Sequence, residues 1–189
     1  EEIGMTNVGF QSIDDMKDLE AHNTYDFLTR VGISSEKALD MVNRKTRDNS
    51  RTPMQWNTSK NAGFTDGQPW IRINDNYKNI NVEKDLLNKD SIYKFYQKLI
   101  SLRKSNDILI NGDCKLLDLT DSDIITFTRN NNGEKILVIC SFSDKRIKFD
   151  IPKEYKATKL LISNYDSADF EGDVTTYLEP YEGRAYIIG

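Results

Sequence analysis

The spacing of apolar residues changes near Asn111-Gly112, and this change constrains the fold more than any other feature of the 189-residue chain. Before it, Ile92, Phe95, Tyr96, Leu99 and Leu102 recur at intervals of three and four, which lays one apolar stripe along an α-helix. After it, Ile125, Phe127 and Arg129 alternate with Ile124, Thr126 and Thr128, the period of a strand. Asn130-Asn131-Asn132-Gly133 supplies turn residues and residues 135–142 form a mostly apolar run, so a hairpin is predicted whose second strand is central. Further short strands at 146–151, 159–163, 175–178 and 184–188 complete an antiparallel β-sandwich of about 75 residues. A chain that keeps the two periods apart is α+β: residues 1–111 are read as one segment of helices and loops, residues 112–189 as the sandwich domain.

Within the first segment, Ser34 or Ser35 can cap a helix carrying Leu39 and Val42, and Gly32 can end the helix before it, which makes a small helical hairpin. Asp90 can cap the helix of the apolar stripe. Residues 47–81 are polar and aromatic with Pro53, Gly63, Gly67 and Pro69, the composition of a long ordered loop, and such loops usually serve function. This segment does not read as a domain that stands alone.

The chain is 38% apolar and 30% charged with a net charge of −4, the balance of an ordinary globular protein and a poor one for binding nucleic acid. The longest apolar run, Ile136 to Cys140, is far too short to cross a bilayer, and no basic and apolar leader opens the chain, so a soluble cytoplasmic protein without a membrane partner is expected. Cys114 and Cys140 lack CxxC spacing and sit in apolar surroundings, as buried free thiols rather than a disulfide. The single histidine, His22, reads as a partly exposed helix residue, and neither metal nor cofactor is expected. The opening Glu1-Glu2-Ile3-Gly4-Met5, without an initiator methionine, reads as part of a longer chain.

Thirty acidic residues make any adjacent pair of carboxylates uninformative. Catalysis by a facing pair of carboxyl groups needs acids brought together from distant positions, and no such pair is identifiable. The run Arg47-Asp48-Asn49-Ser50-Arg51-Thr52-Pro53-Met54-Gln55-Trp56 is different, because two arginines, an acid, an amide and a tryptophan share ten loop positions. Arginine is a rigid fork of donors that can hold a carboxylate and still offer N–H groups to hydroxyls. From the residues alone, a site for a polar ligand and a structural salt-bridge knot both remain open.

That run, together with Glu1 to Asn7, Asn61-Ala62-Gly63-Phe64-Thr65-Asp66-Gly67-Gln68-Pro69-Trp70, Asn76-Tyr77, Ile80-Asn81-Val82, Leu99 to Lys104 and Leu178-Glu179-Pro180-Tyr181-Glu182, resembles the oligo-1,6-glucosidases of the α-amylase superfamily over essentially the whole chain. Trehalose-6-phosphate hydrolases, dextran glucosidases and sucrose isomerases share most of these motifs. The resemblance implies the loop after the last strand of a TIM (β/α)8 barrel, the last barrel helix, and a C-terminal sandwich. It places the nucleophile, the acid/base and the transition-state carboxylate outside this chain, so no catalytic residue is assigned here and the chain alone is expected to be inactive. Arg47 matches a family arginine that, held by an aspartate from outside the chain, hydrogen-bonds the terminal glucose in the −1 subsite; a loop-stabilising ion pair is the alternative. Glu20 matches an acid that reaches the sugar in the +1 subsite, against a solvated helix acid. Arg51 and Trp56 are read as bracing the loop, while His22 and Thr24 depart from the family pattern beside Glu20. The substrate implied is a small oligosaccharide with α-1,6 linkages. A carbohydrate-binding sandwich is the alternative outside enzymes, disfavoured because Phe127, Phe142, Phe149 and Tyr186 sit in contexts that suit a core. Cut from a barrel, the stripe from Ile92 to Leu102 would be left for self-association.

Overall fold

The computed structural model describes residues 2–117, 123–152, 154–155, 157–166 and 175–189. The chain divides into two compact units, Glu1–Tyr96 and Gln97–Gly189.

In the first unit two caps define a helical hairpin. Asp18 accepts the Glu20 N–H at the start of α1 (Leu19–Arg30), and Ser34 Oγ accepts the Lys37 N–H at the start of α2 (Ser35–Asn43). Between them Gly32 has φ +90°, a left-handed conformation that a side chain would strain, which is why a glycine ends this helix pair's first arm. The hairpin buries Ala21 and Val42 in a cluster with Val8, Phe10, Met16 and Ile71. The chain after α2 winds through short 3₁₀ turns at Arg47–Arg51, Lys60–Gly63 and Asp75–Lys78. Side-chain amides take over the role that a ladder would play there. Asn43 exchanges two 2.8 Å bonds with the Phe10 backbone, Asn74 Nδ2 donates to the carbonyls of Thr6 and Asn7 at 3.1 Å, and the fully buried Gln55 donates to the Ile80 carbonyl and to Asn76. Asn81 then caps α3 (Val82–Leu87).

The predicted striped helix is α4 (Ile92–Ser105). Its cap is Ser91 rather than Asp90: Ser91 Oγ accepts the Lys94 N–H at 3.1 Å while donating to Asp85 at 2.7 Å. No α4 residue is fully buried, and Ile92, Leu99 and Ile100 are exposed. A one-turn helix, α5 (Ile108–Asn111), follows.

The second unit carries the predicted sandwich. A five-stranded antiparallel sheet has the order β1 (Asp113–Leu116), β2 (Ile124–Asn131), β3 (Glu134–Ser141), β7 (Gly183–Ile188), β5 (Ala157–Ser163), and β4 (Ile147–Asp150) pairs with β6 (Thr175–Leu178) in a second sheet. Asn132 and Gly133, at φ +50° and +89°, form the two-residue turn that sets the register Asn131 opposite Glu134, and β3 is central as its apolar run demands. Leu137, Ile139, Tyr186 and Ile188 from the larger sheet meet Phe149 and Leu178 from the smaller one in a single core. Within that unit Glu182 and Arg184 are buried as a bidentate pair, Nε to Oε1 2.6 Å and Nη2 to Oε2 2.7 Å; Arg184 also donates to Thr176 Oγ1 and the Tyr177 carbonyl, and Glu182 accepts the Glu179 N–H.

Three details differ from the expectations. Strand β1 was not predicted, because residues 113–116 are exposed along their length and lack alternation. Phe142 is 61% exposed and Phe127 only half-buried: Phe142 falls just past the last paired residue of β3, so alternation no longer dictates its burial. Cys114 lies on the edge strand and is exposed, whereas Cys140 is half-buried with its thiol pKa pushed up by burial; both are free thiols.

Candidate functional site

The site is built around two buried aspartates that the sequence does not advertise. Asp48 is fully buried, and its Oδ2 accepts the backbone N–H groups of Lys17 at 2.5 Å and Asp18 at 2.9 Å, while Oδ1 faces Arg51 Nη1 at 3.3 Å. That carboxylate pins the entry to α1 onto the Arg47–Arg51 turn. Thr46 caps the same turn by accepting the Asp48 N–H.

Asp18, 3% exposed, does two things at once. Its Oδ1 caps α1, and its two oxygens grip Arg47: Nη2 to Oδ1 2.7 Å, Nε to Oδ1 3.2 Å, with the Arg47 backbone N–H donating to Oδ2 at 3.0 Å. The Arg47 side-chain bonds hold the Asp18 carboxyl down at about 2 against the opposing effect of desolvation, with the Arg47 and Glu20 N–H groups adding to the lowering. The guanidinium pKa is raised, chiefly by the same bonds. Glu20 Oε2 stands 3.5 Å from Nη2 on the other side.

Arg47 is thus clamped by its Nε and Nη2 edge yet 57% exposed, and among the described residues its Nη1 donates to nothing. A fixed, solvent-facing guanidinium beside an exposed carboxylate can give donors and acceptors to a polyhydroxylated ligand without reorganising.

The structure brings Arg47 and Glu20 together, with Nη2 and Oε2 3.5 Å apart. Within the chain Arg47 is held by Asp18, in addition to any aspartate that the resemblance implies from outside it. Its place just before α1 makes Asp18 a candidate N-cap, but nothing in the sequence marks it as buried or as the partner of Arg47. Arg51 braces the loop through Asp48. The Trp56 indole is exposed, and its residue serves the loop through the backbone, donating to the Ala62 carbonyl at 2.9 Å and accepting from Glu83 at 3.0 Å. His22 lies on α1, half-buried, with Nε2 3.0 Å from the Met16 carbonyl. Among the described residues no group of three or more His, Cys, Asp or Glu could hold a metal ion, and no helix is long and apolar enough to cross a membrane.

Comparison with known proteins accounts for both units. The family profile described as alpha amylase, catalytic domain, matches residues 1–112, and that described as the alpha-amylase SusG C-terminal domain matches residues 124–183. An oligo-1,6-glucosidase of Halalkalibacterium halodurans is 44% identical over 99% of this chain and 34% of its own length. The crystal structure of the Bacillus licheniformis trehalose-6-phosphate hydrolase is 41% identical with a TM-score of 0.89, over 99% of this chain and 34% of that one. A trehalulose synthase from Pseudomonas mesoacidophila MX-45 is 33% identical with a TM-score of 0.91, over 100% of this chain and 34% of that one. The chain therefore spans about a third of the length of the relatives it matches. With more than half of its residues matched by the catalytic-domain profile, and with helices followed by an antiparallel sandwich as in those structures, the chain belongs to the α-amylase family of glycoside hydrolases.

Proposed function

We propose that this chain is the C-terminal part of a retaining, exo-acting α-glucosidase that hydrolyses α-1,6 bonds of isomalto-oligosaccharides in the cytoplasm. The observation that carries the reading is the clamped, solvent-facing Arg47 between Asp18 and Glu20. In this reading Arg47 binds the terminal glucose in the −1 subsite and Glu20 the sugar in the +1 subsite. The carboxylates that would form and resolve the covalent glycosyl-enzyme are assigned to the part of the enzyme outside this chain. Residues 1–111 belong to the catalytic domain and residues 112–189 form the C-terminal sandwich domain. The relation to an oligo-1,6-glucosidase supports the linkage, and two free cysteines, one of them exposed, suit a reducing compartment.

In the complete enzyme carrying this chain, Arg47→Ala should lower kcat/KM on isomaltose by about tenfold or more. A smaller loss would remove Arg47 from the −1 subsite. Because a trehalose-6-phosphate hydrolase is similar as well, the same enzyme should be assayed on trehalose 6-phosphate, and faster turnover there than on isomaltose would overturn the proposed linkage. The exposed apolar residues of α4 support a further reading, that this chain by itself self-associates through that helix. Sedimentation at micromolar concentration would show a species larger than a monomer, and a strict monomer would refute it.

A further inference from the structure

A groove of about 290 Å³ runs between α1 and α2, and one end of it is formed by Asp18 and Glu20, the residues beside Arg47. It is thus continuous with the candidate site. The volume lies just below the roughly 300–1,000 Å³ of small-molecule sites, room for one small ring compound rather than a polymer. Glu20, Thr24 and Leu28 follow one another at four-residue spacing along one face of α1, a span of about 12 Å leading away from Arg47. Met41 and Val42 supply an apolar floor from α2, and Lys45 closes the rim.

The charges decide what such a groove can hold. Asp18 is occupied by Arg47, and Arg44, which also lines the groove, is paired with Asp40 at 2.9 Å. That leaves one acid, Glu20, and one cation, Lys45, which offset each other. A phosphate brings about two negative charges and calls for a cluster of unspent donors, which this rim lacks. A neutral sugar suits it better, laying the C–H face of its ring on Leu28 and Met41 and turning its hydroxyls to Glu20, Thr24 and Lys45.

We propose that the α1–α2 groove is the subsite for the second sugar unit on the leaving-group side and that it takes a neutral hexose rather than a phosphorylated one. This rests on the reading of Arg47 and Glu20 as contacts to the two sugars flanking the scissile bond. It makes Thr24 and Met41 determinants of chain-length preference.

Isomaltose has a single leaving-group glucose, whereas isomaltotriose places a second one in the groove. The experiment is therefore the ratio of kcat/KM for isomaltotriose over isomaltose in the complete enzyme carrying this chain. Met41→Trp, which fills the groove, and Thr24→Lys, which overhangs it, should each lower that ratio by about fivefold or more. Both positions are exposed, so the substitutions leave the buried cluster beneath intact. An unchanged ratio in both variants would overturn the groove while leaving the activity standing. An enzyme that does not hydrolyse isomaltose at all would instead refute the proposed function. Glucose and glucose 6-phosphate should inhibit isomaltose hydrolysis at similar concentrations. Stronger inhibition by the phosphate, relieved in Lys45→Glu, would overturn the neutral assignment.

Discussion

Between Glu1 and Tyr96 the backbone is fixed by individual polar side chains, whereas between Gln97 and Gly189 it is fixed by a ladder of strands and one apolar core. Asn43, Asp48, Gln55 and Asn74 each satisfy backbone groups far away in sequence, up to 68 residues for Asn74 and Thr6. In the sandwich the same task is spread over sheets of five and two strands whose backbone groups satisfy one another. The contrast teaches where function can sit. A loop held by specific hydrogen bonds can place a guanidinium at a chosen spot: Asp18 grips Arg47 directly, and Asp48 holds the Asp18 backbone in place.

Inside the sandwich the Glu182–Arg184 pair is a buried polar element of the kind that holds the first unit, and breaking it should have the largest effect. Glu182→Ala leaves Arg184 buried without its carboxylate, which should cost about 3–5 kcal/mol in urea denaturation of the chain and strip hydrogen-exchange protection from β3, β5 and β7. A loss below about 1 kcal/mol would mean that the pair is incidental to the fold.

The complementary break in the first unit is Asp48→Ala, which orphans the N–H groups of Lys17 and Asp18 and the Arg51 guanidinium. It should cost about 1–3 kcal/mol, and Asp48→Asn should recover part of this because an amide oxygen still accepts. If Asn were as costly as Ala, charge rather than hydrogen bonding would be holding the loop.

A titration sharpens the comparison further. The Asp18 carboxyl is held at about 2, below its ordinary value of 3.8, so its contribution to stability is fully present above pH 4 and is lost as pH falls through 2. Exchange of the Arg47 amide should stay slow down to pH 4 and quicken only below it, and the Asp18 carboxyl carbon should titrate near 2 by NMR. A midpoint at 3.8 or above would dissolve the clamp.

The smallest effect should come from Asp40→Ala. It removes an exposed i,i+4 pair with Arg44, worth about 0.3–0.5 kcal/mol and weaker in salt. A loss above about 1 kcal/mol would show that α2 depends on its surface more than the buried cluster suggests.

The hairpin β2–β3, the central place of β3 and the helical hairpin were legible because each follows from a local pattern: the Asn132-Gly133 turn, the apolar run and the serine cap. The α4 cap was misplaced by one residue because Asp90 and Ser91 are both good caps, and only the bond from Ser91 to Asp85 separates them. Phe142 was misjudged because alternation dictates burial only while a strand is paired. Arg47 and Glu20 stood out through their resemblance to known motifs, but the residues that aim them did not. Asp18 and Asp48 are two of thirty acids, and nothing in the sequence distinguishes a carboxylate buried against backbone N–H groups from one in solvent.

The sequence by itself determined which segments are helix and which are strand, since periods of 3.6 and 2 are properties of neighbouring residues, and it determined the family, since motifs in a fixed order survive without coordinates. Only the tertiary structure decided that Asp18 grips Arg47 from 29 positions away, that Glu182 and Arg184 are buried together, and that α1 and α2 enclose a groove reaching to Glu20. Those outcomes depend on which groups the fold removes from water, and the energy of a charge is set by that environment rather than by its place in the chain.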